Sequence, residues 1–454
     1  MAGFILAAPA SHSGKTTLML ALLRRLSREG IKLTAAKAGP DYIDGAFYRF
    51  ALRQSEKKAD IGNLDCWAMR PALLRALAAQ AVSGGRLLAV EGMMGLFDGA
   101  ANGQGSAADL AHMLGLPVIL ALDCRYMGQS AAALAQGFCH FDRRIRIAAL
   151  ILNKVGSERH EAMLRAALAA AGAPPILAVL RRDARLTLPE RHLGLVQAQE
   201  QAEQPEAVIG LAAQELKLAA DWRQILGAEN PETEKAPALP LPLSLPLNGR
   251  HIAIAADNAF RFVYSHFLEQ WRQAGRQISF FSPLADEMPA AGADCVFLPG
   301  GYPELYAAEL AAAGRFKAAM RAFAARGGAV YGECGGYMAL GDALCDAAGR
   351  RYEMLGLLPI ETDFSRPRLH LGYRRLVAQT DFFGAGKQLF RGHEFHYAGF
   401  APGREEAAAL CADKSGRLKP LWQAADSQGQ ALGAAGLRLG RVCGSFIHII
   451  DAEG

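Results

Sequence analysis

Proline decides the coarse architecture of this chain. Between Gly227 and Gly249 stand Pro231 and Pro237, followed by Leu-Pro repeats that run through Pro246. Proline lacks an amide hydrogen and fixes φ, so this density admits neither a helix nor a central strand. The segment predicts an extended, semi-stiff linker over 228–248, its leucines laid on a domain surface. Two domains follow, 1–227 and 249–454. A length of 454 residues suits such a division.

Both halves alternate short apolar runs with amphipathic ones. In the first half, strands are expected at Phe4–Ala8, Leu33–Lys37, Leu87–Glu91, Val118–Asp123 and Ala148–Asn153. Helices are expected at Thr16–Ser27, Pro71–Ser83, Ala107–Leu114 and Glu158–Ala171. That order predicts an α/β domain with a parallel, doubly wound sheet. The pattern restarts after the linker with strands His251–Ala255, Gln277–Phe281, Cys295–Leu298 and Ala329–Tyr331. A helix is expected near Tyr264–Gln273 and another over Ala308–Ala325. Shorter β-rich runs such as Tyr373–Ala378 and Val442–Ile450 make the second α/β domain partly antiparallel.

The first strand runs into Ala8-Pro9-Ala10-Ser11-His12-Ser13-Gly14-Lys15-Thr16-Thr17, which opens a helix. A Gly-Lys-Thr in that setting is a phosphate loop, although Ala8-Pro9 replaces its usual first glycine. Backbone N–H groups from Ser13 to Thr17 and the helix dipole would cradle phosphate. Lys15 would reach the β- and γ-phosphates, and Thr16 would ligate Mg²⁺. Acids cluster at the ends of two strands: Asp41 and Asp44 after the second, Glu91 and Asp98 after Leu87–Val90. Ligands of open α/β sheets sit at such ends, and Mg²⁺ takes a few carboxylates beside phosphate oxygens. Asp and Gly also make ordinary turns there. Asn153 closes a further strand, where it could read an adenine edge or simply shape a turn.

In the second half, Gly332-Glu333-Cys334-Gly335-Gly336 follows an apolar strand and precedes a helix. This is a nucleophile elbow with a thiol in place of the hydroxyl. A cysteine nucleophile needs a base, and His448, at the end of the late apolar segment Gly444–Ile447, is the chosen one. Gly335 and Gly301, the latter in a turn after Cys295–Leu298, would supply oxyanion N–H donors. The Gly392–Tyr397 stretch contains His-Glu-x-His, but its residues alternate faces in a strand, so they do not make a zinc set by themselves.

Charged residues make up 20% of the chain and the formal charge is +5, with no Lys/Arg cluster. Nucleic acid is therefore not an expected partner, whereas a polyanionic small molecule is. The eight cysteines show no C-x-x-C spacing and read as thiols of a reducing compartment. Met1–Pro9 lacks a basic start and reads as a core strand, not a signal peptide. No apolar run approaches the roughly 20 residues of a membrane helix, so a cytoplasmic setting is expected.

The stretches APASHSGKTT, KAGPDYID, EGMMGLFDG, ILNKVGSERH, LPGGYPELYAAEL, YGECGGYM, GHEFHY and GSFIH run from residue 8 to 448. Together they resemble the cobyrinic acid a,c-diamide synthase family, including its hydrogenobyrinic acid counterpart. EGMMGLFDG with GPDYID favours this family over the related cobyric acid synthase. The resemblance implies a P-loop, dethiobiotin synthetase-like first domain and a class I glutamine amidotransferase-like second domain.

It implies that Cys334 and His448 release ammonia from glutamine, while ATP and Mg²⁺ activate the a and c acetate carboxylates of a corrinoid. Ser13, Gly14, Lys15, Thr16, Thr17 and Asn153 would then bind nucleotide. Thr16, Asp44 and Glu91 would hold Mg²⁺, and Asp41 and Asp98 would face substrate. The partners implied are a corrinoid polycarboxylate, glutamine and ATP, without membrane, and a homodimer is left open. Glutamine amidotransferases often carry an acid two residues after the histidine. Here that position is Ile450, so a third member must come from elsewhere, with Asp451 one step further. The competing class, a chromosome-partition switch ATPase with an inert glutaminase-like domain, needs a second lysine in the loop, where Ala10 and His12 stand.

Overall fold

The computed structural model describes residues 1–41, 44–52, 60–187, 190–191, 194–195, 203–227, 247, 249–379 and 388–453. The proline-rich stretch at 228–246 and 248 lies outside them. The chain divides into two compact units, 1–67 with 71–239, and 68–70 with 240–454. No helix among the described residues is long and apolar enough to cross a membrane.

The first unit is built on strands β1 (Gly3–Ala7), β2 (Leu33–Ala38), β3 (Asp60–Leu64), β4 (Leu87–Glu91), β5 (Val118–Asp123), β6 (Ile147–Val155), β7 (Ile176–Arg181) and β8 (Lys217–Leu218). They form one eight-stranded sheet in the order β8-β7-β6-β5-β1-β4-β2-β3. The pairings are parallel, except that β8 runs antiparallel along β7. Every residue of β1, β2 and β4 is buried, as a parallel sheet covered on both faces requires. β1 lies between β4 and β5, so its carboxyl end opens in mid-sheet. There Gly14 at φ 82° turns the chain into the helix Lys15–Arg28, a conformation that costs glycine little.

β3 and β7 were not anticipated from the sequence. β3 reads Asp-Ile-Gly-Asn-Leu, with Gly62 at φ 78°, and lacks a continuous apolar run. β7 reads Ile-Leu-Ala-Val-Leu-Arg, which suits a helix equally well.

The second unit contains β9 (His251–Ala255), β10 (Gln277–Phe281), β11 (Cys295–Leu298), β12 (Ala329–Glu333), β13 (His370–Ala378), β14 (Leu389–His396), β15 (Leu418–Ala425), β16 (Ala431–Leu439), β17 (Val442–Ser445) and β18 (Ile447–Ala452). Their ten-stranded sheet has the order β10-β9-β11-β12-β17-β16-β15-β13-β14-β18. From β10 to β17 the pairing is parallel; from β17 onward it is antiparallel. β18 is the direct continuation of β17 past Phe446, so the antiparallel run returns its far edge to where it began. The expected strand Val442–Ile450 is thus two strands. The expected helix Ala308–Ala325 is likewise two, Ala307–Ala312 and Gly314–Ala325, broken where Ala313 takes φ −71°, ψ 76°.

A four-stranded sheet of Ala343–Cys345, Arg351–Glu353, Glu361–Asp363 and Gly399–Phe400 lies aside. The core packs Phe260, Phe316, Met320, Leu298 and Val330 against Tyr337, Met338 and Leu340 of the helix Gly335–Leu340. That helix is buried at every residue, so the loop before it has little freedom.

Candidate active sites

At the end of β1 the loop 8–14 is held by its own side chains. Ser13 Oγ donates to Ala10 O at 2.8 Å, and Lys15 Nζ donates to the same carbonyl at 3.1 Å. Burial lowers the Lys15 pKa to about 8; Lys37 pushes the same way, while Glu91 and Asp98 oppose it. Asn153, from β6, donates from Nδ2 to Ser13 O at 2.8 Å and accepts Lys154 N–H at 3.0 Å. Its amide therefore braces the loop. Lys154 Nζ ties Asp123 (2.9 Å) to His12 O (3.3 Å). Gly14 and Thr17 line a cavity of ≈ 290 Å³, together with Asn153, Leu180 and Leu186.

Glu91 ends β4 with its carboxylate almost wholly buried. Oε1 accepts from Thr16 Oγ1 at 2.6 Å and from Lys37 Nζ at 2.8 Å; Oε2 accepts from Tyr48 Oη at 2.8 Å. β2 and β4 pair Lys37 directly with Glu91, so the sheet register builds the ion pair. Thr16, the residue after Lys15, and Glu91 thus meet as two hard oxygen ligands, a donor set that fits Mg²⁺. Tyr48 carries no signal of its own in sequence, and Lys37 stands out there only as the first residue of the KAGPDYID stretch.

The other acids divide. Asp98 Oδ2 accepts Gly95 N–H at 2.8 Å, which is turn chemistry, yet it lies close enough to raise the Lys15 pKa. Asp41 is half-buried, its carbonyl held by Asn63 Nδ2 at 2.7 Å. Asp44 opens the helix Asp44–Leu52, and its side chain lies outside the described residues.

In the second unit Cys334 takes φ 47°, ψ −107° between β12 and its helix. A non-glycine residue with positive φ is strained, and such strain marks functional turns. The turn is fixed by Cys334 N–H donating to Ser445 O at 2.8 Å. Neighbouring glycines are sterically required. A Cβ on Gly336 would strike the Leu298 carbonyl, and one on Gly300 would strike the His448 ring. A Cβ on Gly335 would sit 3.0 Å from Gly301 N and 2.8 Å from Pro303 Cδ, so Gly335 and Gly301 border one small space.

His448, on β18, hydrogen-bonds the Cys334 side chain. Burial alone would lower its pKa, but Cys334 and then Glu333 outweigh this and raise it to about 10. Glu333 Oε2 is 3.7 Å from His448 Nδ1, with both side chains buried. Glu333 Oε1 is fixed by Tyr331 Oη and by Ile449 N–H, each at 3.0 Å. Asp451, the nearest acid past the histidine, is engaged elsewhere: its carboxylate takes the Arg70 guanidinium at 2.8 and 2.9 Å. The acid facing His448 is therefore Glu333, the residue just before Cys334. Its only sequence signal is a carboxylate at the end of a buried apolar strand.

Residues 4–196 match the CobQ/CobB/MinD/ParA nucleotide binding domain, and residues 251–453 match the CobB/CobQ-like glutamine amidotransferase domain. Over its whole length the chain is similar to curated proteins named hydrogenobyrinate a,c-diamide synthase. One from Brucella suis biovar 1 (strain 1330) is 51% identical over 455 residues, covering 100% of this chain and 99% of the relative. One from a Sinorhizobium species is 50% identical, covering 100% of both. One from Mesorhizobium japonicum is 46% identical, covering 98% of each.

Proposed function

The chain belongs to the hydrogenobyrinate a,c-diamide synthase family, and on that premise we propose how its two sites divide the reaction. It is a glutamine amidotransferase-type ligase that amidates two acetate carboxylates of a corrinoid acid in cobalamin biosynthesis. The single observation carrying the mechanistic reading is the buried Cys334–His448–Glu333 line.

Glutamine is hydrolysed in the second unit. His448, whose pKa is raised to about 10 by Cys334 and then Glu333, supports the Cys334 sulfur as it attacks the glutamine side-chain carbonyl. The N–H groups of Gly335 and Gly301 receive the developing oxyanion. His448 gives its proton to the leaving ammonia, then takes one from the water that releases glutamate from the thioester.

The first unit activates the carboxylate. A carboxylate is a poor electrophile, so phosphoryl transfer from ATP gives it a leaving group that ammonia then displaces. The loop 8–14 and Lys15 hold the phosphates, and the cavity lined by Asn153, Leu180 and Leu186 takes the adenosine end. Thr16 and Glu91 would hold Mg²⁺, which neutralises charge on the transferring phosphoryl group. Lys37 pairs with Glu91 and orients it, and Asp41 and Asp98 border the substrate side. Asn153 acts first as a brace on Ser13.

The test is a pair of assays on Cys334→Ala. Ammonia release from glutamine should vanish, while amidation of hydrogenobyrinic acid with ATP and added ammonium persists. Unchanged ammonia release would overturn the thiol mechanism. Loss of the ammonium-driven reaction in a folded variant would overturn the division between two sites. Product masses from hydrogenobyrinic and cobyrinic acids fix which corrinoid is preferred.

A further inference from the structure

We propose that His370, Glu394 and His396 form a binding site for a divalent cation of the zinc type. Strand alternation turns His393 away from this group: its ring packs edge-on against Tyr373, 5.5 Å between centroids. The same alternation puts Glu394 and His396 on one face of β14. The β13–β14 register sets His370 directly opposite His396. The three ligand atoms all lie within 4.8 Å of one another. A set of ligands that the His-Glu-x-His run alone could not assemble is completed across the sheet.

The contacts of His396 support the assignment. Its Nδ1 is 2.9 Å from the Ala398 carbonyl, which anchors one ring nitrogen and leaves Nε2 turned to Glu394 Oε1 at 2.8 Å. A cation bound by both of these atoms would hold them side by side as they stand. Tetrahedral bonds of about 2.0–2.2 Å place adjacent ligands about 3.3–3.6 Å apart, and the three ligand atoms, all within 4.8 Å of one another, reach that spacing by small side-chain shifts.

The surroundings are those of ligands held in place. Arg374 Nη2 holds Glu394 Oε2 at 2.7 Å, leaving Oε1 to face His396. The Ala398 carbonyl fixes the His396 tautomer. Such outer partners orient metal ligands and tune their basicity. Gly372, opposite Glu394, makes room for that arginine, since a Cβ there would lie 2.6 Å from Arg374 Nη1. Two imidazoles and one carboxylate suit zinc, not the all-oxygen preference of magnesium or calcium, and leave a fourth position for water or a substrate carboxylate.

The site touches the glutaminase machinery. Phe446 stacks on His396 at 3.9 Å with planes 11° apart, and meets Tyr337 of the nucleophile helix edge-on at 5.5 Å. Phe446 stands two residues before His448. An ion on His396 would therefore steady the segment that carries the base.

The experiment uses full-length Cys334→Ala protein, which removes the catalytic thiol as a competing ligand. Zn(II) is titrated by calorimetry, and Co(II) is followed by its visible d–d absorption. One equivalent should bind with release of protons from the site. His370→Ala and Glu394→Gln should each raise Kd by at least about tenfold, whereas Cys411→Ser, at an exposed thiol, should not. His370 is the more exposed ligand, so its variant keeps the test valid if the others misfold. Stoichiometric binding that survives both ligand substitutions overturns the proposal. So does no binding together with nitrogen NMR showing a doubly protonated His396, which would make the group an ion pair only.

Discussion

Glu333 directly precedes Cys334 in the chain, yet its carboxylate faces His448, which stands 115 positions on in sequence: Oε2 is 3.7 Å from His448 Nδ1. β12 ends at this residue, so Tyr331 and Glu333 share a face while Cys334 turns away at positive φ. Glu333→Gln keeps an oxygen for Tyr331 and Ile449 but removes the charge. We expect kcat for ammonia release to fall about 10²- to 10⁴-fold. The Glu333 carboxylate is one of the groups holding the His448 pKa at about 10. Its loss should move the alkaline limb of the pH profile to lower pH. An unshifted limb would mean that Glu333 only packs against the ring.

Gly335→Ala tests the oxyanion assignment. The new Cβ would enter the space bordered by Gly301 N and Pro303. The backbone N–H remains, but the Cβ crowds the place of the oxyanion, and we expect kcat to fall toward the roughly 10²–10³-fold that loss of one donor typically costs, about 10²-fold here. Thermal unfolding of the variant separates this from misfolding. A variant of normal kcat would place the oxyanion elsewhere.

Glu91→Gln should disable the first unit alone. The change leaves Lys37 buried without its counter-charge, which costs about 3–5 kcal/mol, while the amide oxygen can still accept from Thr16. Ammonium-driven amidation should drop more than about 100-fold, with glutamine hydrolysis retained. Tyr48→Phe removes one hydrogen bond to the same carboxylate, about 1 kcal/mol, and should leave most activity. Equal losses in both variants would argue for a purely structural network.

Glu406 gives the second unit a pH dependence. Burial raises its pKa to about 7, although Tyr337 Oη and Gly436 N–H, at 2.8 and 2.9 Å, favour the ionised form. The folded state therefore holds the proton more tightly than the unfolded chain. Its contribution is complete below the unfolded value of 4.5 and lost as pH rises through about 7. Denaturant titrations of wild type between these limits should show stability falling by up to ~3 kcal/mol. Glu406→Gln should flatten that slope, since its amide can donate to Tyr337 and still accept from Gly436.

The sequence carried the local structure well and the lateral structure poorly. The loop 8–14 and the Cys334 elbow are strand–turn–helix units, legible because each is contiguous. Glu333, Lys37 and His370 acquire their partners only through register: Lys37 against Glu91, Glu333 beside the strand leading to His448, His370 across from His396. A linear reading sought the third acid downstream of the histidine, where Asp451 instead serves Arg70. Asn153 looked like a turn or a base-reading residue, and its grip on Ser13 appears only once β6 and the loop are side by side.

The pairing of β12 with β17 joins Val330 to Val442 and Glu333 to Ser445. Contacts so distant in sequence are slow to close. No local fragment around the elbow can own both Cys334 and His448. On the proposed mechanism, a ribosome-bound chain that has displayed Cys334 would not liberate ammonia until residues 442–452 have emerged and docked. Glutamine would thereby be spared from incomplete chains, and the appearance of hydrolysis during refolding would become a clock for the last stage of sheet assembly.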